Sequence, residues 1–123
     1  MIHLDTNFLI VALRPGTREE DFLRGRLEAG EEAGLSAVAW AEFLCGPLQA
    51  GDVARARRLF PTVEHLLPMD AEKGAEFFNA TGRRSRTLAD CLTAATAVRC
   101  GVNLATGNEA DFRPFAAHGL SLR

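Results

Sequence analysis

Long apolar runs are missing from this sequence: no stretch approaches the ~20 residues that a membrane-spanning helix needs. Cysteine is scarce. Cys45, Cys91 and Cys100 are an odd set without C-x-x-C spacing, and His3, His65 and His118 are scattered. That spacing argues against a disulfide framework and against a zinc site. Cys91 and Cys100 fall inside or at the end of an apolar segment, where a free thiol behaves as a small hydrophobe. The opening Met1-Ile2-His3-Leu4-Asp5 lacks the basic start and longer apolar stretch of a signal peptide, so a cytoplasmic location is expected. No internal repeat, low-complexity tract or linker interrupts the chain. Lysine is nearly absent too: Lys73 stands alone against 13 arginines.

What is there suits one globular domain over residues 1–123, with 47% apolar and 24% charged residues. A domain of this length buries roughly two-thirds of its unfolded-chain surface, enough for a core without staples. The net charge of −2 does not suggest a partner for nucleic acid until its distribution is considered. Arginine suits bidentate phosphate contact, and it clusters at Arg24 with Arg26, at Arg55-Arg57-Arg58 and at Arg83-Arg84-Arg86. Each cluster read singly is an ordinary solvated helix face. Acidic residues committed to a metal would also be masked from the surface charge.

The pattern of elements alternates. Ile2-His3-Leu4 reads as a first strand ending at Asp5, followed by a short helix over Asn7–Leu13 that Arg14-Pro15-Gly16 stops. Thr17 and Glu20 have capping-box spacing and open a helix expected to reach about Ala33, with Gly34 at its end. Leu35-Ser36 is a brief second strand, and Ala37–Leu44 an apolar helix carrying Glu42. Asp52 starts an arginine-rich helix to Phe60. Val63–Leu67 is a third strand, and Asp70 caps a helix to about Thr81. Thr87 opens the most apolar helix, Leu88–Cys100, ended by Gly101. Val102–Ala105 is a fourth strand and Leu120–Leu122 a fifth at the edge. Strands alternating with helices predict an α/β fold: a mostly parallel sheet of four to five strands covered on both faces, a three-layer sandwich.

In open parallel sheets, ligands gather beyond the carboxyl ends of the strands. Asp5 follows the first strand directly. Thr106, Asn108 and Asp111 follow the fourth in one loop. Ser36 follows the second, with Glu42 about two turns along the helix it opens. Asp90 sits in the first turn of the helix before strand four. Each acid has a plainer use as well. Asp5 is placed to cap a short helix and Asp111 a short turn before Phe112, and Asp90 is three residues from Thr87, the acidic half of a capping box. Glu42 could be solvated, yet Trp40, Ala41, Phe43 and Leu44 around it are apolar. Acids set into apolar helices need a cation or a donor nearby. An all-oxygen set selects hard cations, Mg²⁺ or Mn²⁺, and two such ions about 3.5–4 Å apart activate water and stabilise a leaving phosphodiester oxygen.

Four blocks carry a resemblance. Ile2-His3-Leu4-Asp5-Thr6-Asn7 looks like the opening of PIN domains. Leu35–Phe43, with Ser36 and Glu42, resembles their second block. Leu88–Ala97, with Asp90 ahead of a small-residue helix, is similar to the third. Thr106-Gly107-Asn108-Glu109-Ala110-Asp111-Phe112 looks like the fourth. In order and across nearly the whole chain, they resemble most closely the compact VapC-type toxins of toxin–antitoxin pairs. The resemblance implies a small Mg²⁺- or Mn²⁺-dependent endoribonuclease, usually a homodimer, held inactive by a cognate antitoxin whose tail covers an acidic pocket. By matching position, Asp5, Glu42, Asp90 and Asp111 take metal-site roles, with Glu109 a second candidate beside Asp111. Thr6, Ser36, Thr106 and Asn108 take supporting hydrogen-bond roles.

Two other readings have distinct signatures. A phosphotransfer domain of the haloacid-dehalogenase or receiver type also puts an Asp after strand one. The dehalogenase pattern wants a second acid where Asn7 stands, however, and both families want a late Lys that Lys73 does not supply. A non-catalytic PIN-like module would bind RNA or protein without cutting. Phe22, Leu23, Leu27 and Leu48 among arginines offer an apolar groove for a partner helix, and Phe77, Phe78 and Phe115 offer stacking or oligomer contacts. Core packing is the plainer role for both sets.

Overall fold

A computed structural model describes residues 1–83 and 87–123. Three short strands form its sheet: β1 (Ile2–Leu4), β2 (Ala33–Gly34) and β3 (Asn103–Ala105). They lie in the order β2-β1-β3, all parallel, with His3 beside Gly34 on one side and Leu104 on the other. Among the described residues seven α-helices surround it: α1 (Thr6–Ala12), α2 (Arg18–Glu28), α3 (Ala37–Cys45), α4 (Asp52–Leu59), α5 (Pro68–Ala80), α6 (Leu88–Cys100) and α7 (Glu109–Phe112). A 3₁₀ helix, Arg113–His118, follows. None of these helices is long and apolar enough to cross a membrane.

Because successive strand residues face opposite ways, the sheet separates two cores. Ile2 and Leu4 join Phe8, Leu9, Leu23, Leu35, Phe43 and Phe60 on one face. Leu104, beside His3, joins Phe77, Cys91, Ala94, Phe112, Phe115 and Leu120 on the other. The expected three-layer α/β arrangement is therefore present. Helix α6 is buried nearly all round, and its small residues let α5 come close. A methyl group added at Gly74 of α5 would meet Leu92 Cδ2 at 2.7 Å, so the Leu92 side chain would have to shift to admit one.

The sheet is smaller than the four to five strands expected. The third strand, Val63–Leu67, is reduced to a single parallel bridge between Ser36 and Glu64, and the fifth, Leu120–Leu122, to one between Leu104 and Leu122. Pro68, without an N–H, starts α5 directly and takes the chain away from the sheet. Gly119, at φ 105°, turns the chain just before its bridge. Helix α2 also stops at Glu28 rather than Ala33. Gly30, at φ 86°, takes the left-handed turn that ends it, which releases Ala33–Gly34 to form β2 two residues ahead of the expected Leu35-Ser36. Asp70 is the third residue of α5 rather than its cap, although its carboxylate still accepts from Leu67 N at 2.9 Å.

Two buried acids lock this frame. Asp52 is wholly buried, gripped by both Arg14 amines at 2.9 and 3.0 Å, by Arg55 at 2.8 Å and by Gln49 N at 2.8 Å. Asp70 accepts from Arg99 Nε at 2.8 Å, and the same guanidinium reaches Glu64 at 2.9 Å, tying α6 to the segment that bridges Ser36. The three cysteines are free, and only Cys91 is fully buried.

Asp52→Ala is expected to cost about 3 kcal/mol, because it strands two guanidinium groups around a buried site. Urea denaturation measures this. Hydrogen bonds from Arg14 hold the Asp52 carboxyl well below the usual carboxylate range. Its contribution is therefore complete above the unfolded value near ~4 and is lost as pH falls below it. The gap between wild type and Asp52→Ala should narrow in acid.

Candidate metal centre

Asp5 directly follows β1, and its backbone N–H extends the ladder by donating to Ala105 O at 3.0 Å. Its side chain is nearly buried and does two things at once. Oδ1 accepts from Phe8 N at 2.7 Å, capping α1, and Oδ2 accepts from the Thr106 hydroxyl at 2.5 Å. Thr106 Oγ1 in turn accepts from Asn108 N at 2.9 Å, and Asn108 Nδ2 donates to Asp111 Oδ2 at 2.5 Å. The loop after β3 is thereby fastened to the end of β1. Capping and site roles are not alternatives at Asp5, since a carboxylate oxygen accepts more than one bond.

Glu42 comes from α3. Ser36 Oγ accepts from Ala39 N at 3.1 Å and so caps that helix, which sets the direction in which Glu42 is carried. Thr6 Oγ1 lies 3.0 Å from Glu42 Oε1 and 3.2 Å from the Ala39 carbonyl oxygen, so its one proton is shared between them. Helix α6 opens without a capping box: Thr87 lies in the right-handed helical region and its side chain makes no cap bond. The capping use of Asp90 is thus not taken up.

Asp5, Thr6, Asn7, Glu42, Asp90 and Thr93 line one cleft of about 220 Å³. Asp90 also lines the adjoining cleft, about 340 Å³, with Asp111, Thr81 and Thr87. Three of the four expected acids therefore share a cleft, and Asp111 meets them only through Asp90. Burial pushes the Asp90 carboxyl up to about 6, with the charges of Glu42, Asp5 and Asp111 adding to it. Burial also raises Asp5; the bonds from Thr106 and Phe8 oppose this, and Glu42 adds to it. Among the described residues no three acids, histidines or cysteines are gathered tightly enough to enclose one ion. The donor set nevertheless fits a hard cation, because the cleft offers carboxylate and hydroxyl oxygens and neither histidine nor cysteine.

The model of the PIN domain family matches residues 2–117. The chain belongs to the PIN domain family. Among curated proteins no sequence matches it. Of solved structures, FitAcB from Neisseria gonorrhoeae is similar at 27% identity and a TM-score of 0.71, covering 100% of this chain and 97% of that one. VapBC2 from Rickettsia felis, bound to a DNA fragment from its promoter, gives 17% identity and a TM-score of 0.79 over 100% and 98%. VapC20 from Mycobacterium tuberculosis, described as a sarcin–ricin loop cleaving toxin, gives 20% and 0.66 over 98% and 96%. The last two likenesses concern the fold. Membership of the PIN family removes the phosphotransfer reading.

Several surface expectations take the plainer course in this PIN domain. Arg24 pairs with Glu20 at 2.8 Å, and Arg26 pairs with Glu31 at 2.7 Å. Arg55 is held by Asp52, whereas Arg57 lies over the Trp40 ring at 5.7 Å. Arg83 reaches Asn79, and Arg84 and Arg86 lie outside the described residues. Phe77 and Phe115 stack at 4.9 Å inside the second core. Leu23 is buried, Phe22 and Leu48 pack against the first core, and Leu27 is exposed. What sequence reasoning passed over is Thr93, whose one signal was its position one turn after Asp90.

Asp90→Asn is expected to stabilise the metal-free protein. A carboxyl raised from ~4 to about 6 loses stability as pH climbs through that window, and the loss is constant above it. At pH 7 the gain should be on the order of 1–2 kcal/mol after allowance for solvent screening, and should disappear below ~4. A thermal melt in EDTA in which the mutant is clearly less stable at pH 7 would contradict the clustering of charge.

Proposed function

We propose that this PIN domain is a divalent-cation-dependent endoribonuclease, the toxin of a toxin–antitoxin pair. The observation that carries the reading is the single cleft shared by Asp5, Glu42 and Asp90. These three residues would hold Mg²⁺ or Mn²⁺, with Asp111 contributing from the adjoining cleft. When bound, the cation would activate water and stabilise charge on the phosphodiester oxygens. Thr106 and the Phe8 N–H keep Asp5 oriented, Thr6 does the same for Glu42, and Asn108 holds Asp111. In the hydrolysis water adds to phosphorus, the bond to the leaving ribose oxygen breaks, and that oxygen takes up a proton.

The partner assignment draws on the neighbours. FitAcB and a toxin–antitoxin complex from Klebsiella pneumoniae each share 27% identity with this chain. A cognate antitoxin covering the acidic cleft, a homodimeric state and action on RNA in the cytoplasm complete the reading. A second reading has one observation of its own. The carboxylates as placed do not enclose an ion, which suits a PIN module that binds RNA or protein without cutting it.

Purified protein incubated with a pool of structured RNAs separates the two. Discrete cuts that require Mn²⁺ or Mg²⁺, stop with EDTA and fall on the order of 10²-fold or more in Asp5→Asn are expected of the nuclease. RNA retention without cutting, unchanged by EDTA, would favour the binding module.

A further inference from the structure

Helix α6 contains two buried threonines that treat their hydroxyls differently. Thr96 donates to the Leu92 carbonyl oxygen one turn back, at 3.0 Å, the usual way for a helical threonine to satisfy itself. Thr93 does not. Its residue is 3% exposed, and Oγ1 has no hydrogen-bond partner among the described residues. A buried hydroxyl without a partner costs stability, so its retention needs a reason.

The neighbourhood supplies one. Thr93 lines the acidic cleft with Asp5, Glu42 and Asp90. Residues three apart on a helix are surface neighbours, which places Thr93 beside Asp90. Of the three carboxylates, Asp5 is fixed by Phe8 N and Thr106, and Glu42 by Thr6. Asp90 accepts no hydrogen bond among the described residues, and its surroundings are the charges of Glu42, Asp5 and Asp111. A donor without an acceptor thus stands one turn from an acceptor without a donor. Oγ1 is closed to solvent, so its partner has to come from the walls of the cleft rather than from bulk water.

We propose that Thr93 is a positioning residue for the cation: its hydroxyl donates to the Asp90 carboxylate once a divalent ion draws the cleft acids together, and holds Asp90 in its ligating rotamer. The proposal rests on the metal reading above. Until the ion arrives, like-charge repulsion keeps the acids from converging and the bond stays open. Thr93 therefore acts on cation affinity through Asp90, as outer hydrogen bonds to ligating groups do elsewhere.

The test is isothermal titration of the full chain with Mn²⁺ and Mg²⁺, together with melts in EDTA, on wild type, Thr93→Val and Thr93→Ser. Valine keeps the shape without the hydroxyl, and serine keeps the hydroxyl. The expected result is about a tenfold weaker affinity in Thr93→Val, recovery to within about twofold in Thr93→Ser, and no loss of metal-free Tm in the valine variant. Equal affinity in wild type and Thr93→Val overturns the assignment of Thr93 while leaving the metal site standing. A lower metal-free Tm with unchanged affinity also overturns it, and returns the residue to core packing. If the wild type binds neither ion, the metal reading itself fails and takes this proposal with it.

Discussion

Asp5, Glu42 and Asp90 reach one cleft from three separate elements, and three like charges so placed repel one another. The surrounding structure accommodates this repulsion. Asp5 spends both carboxylate oxygens on protein donors, while Glu42, more exposed, shares the Thr6 proton with the Ala39 carbonyl. Asp90 carries the remainder, and its carboxyl is raised to about 6. A cation is the natural relief for such a site, and it would bind the folded state alone. The cleft thus stores in the metal-free protein the unfavourable charge that metal binding would remove.

Holding that arrangement requires a frame that does not relax. The frame is small, a three-stranded sheet with β1 between β2 and β3. Part of its rigidity comes from buried ion pairs away from the cleft. Asp52 draws in Arg14 from the segment after α1 and Arg55 from α4. Asp70 and Glu64 share Arg99 from α6. Arg55, one of the clustered arginines, thus serves as an internal tie.

Helix α6 links the two tasks. Helix α5 packs against it closely at Gly74, whose Cα faces the Leu92 side chain. The first turn of α6 carries Asp90 and its second Thr93, while Arg99 near its end fastens it to α5 and to the Glu64 bridge. One rigid helix therefore sets Asp90 relative to acids that come from the sheet and from α3.

The sequence by itself determined what depends on local chemistry. Gly101 ended α6 at the expected residue, Ser36 capped α3, and Asp5 followed directly after a strand, because caps and breakers act within a turn. Asp5 and Asp111 stood out by following strand ends, and Glu42 and Asp90 as acids set into apolar helices, although Glu42 proves exposed in the fold. Only the tertiary structure decided the rest. The third and fifth strands shrank to single bridges because pairing depends on neighbours distant in sequence. Asp111 came to the adjoining cleft rather than to the one holding Asp5 and Glu42, and Asp70 added to its bond at the start of α5 a buried bond to Arg99, 29 residues away. Thr93 offered the sequence only its spacing from Asp90, for the same reason. A threonine in an apolar helix looks satisfied until the fold shows that its hydroxyl has no acceptor and which acid stands beside it.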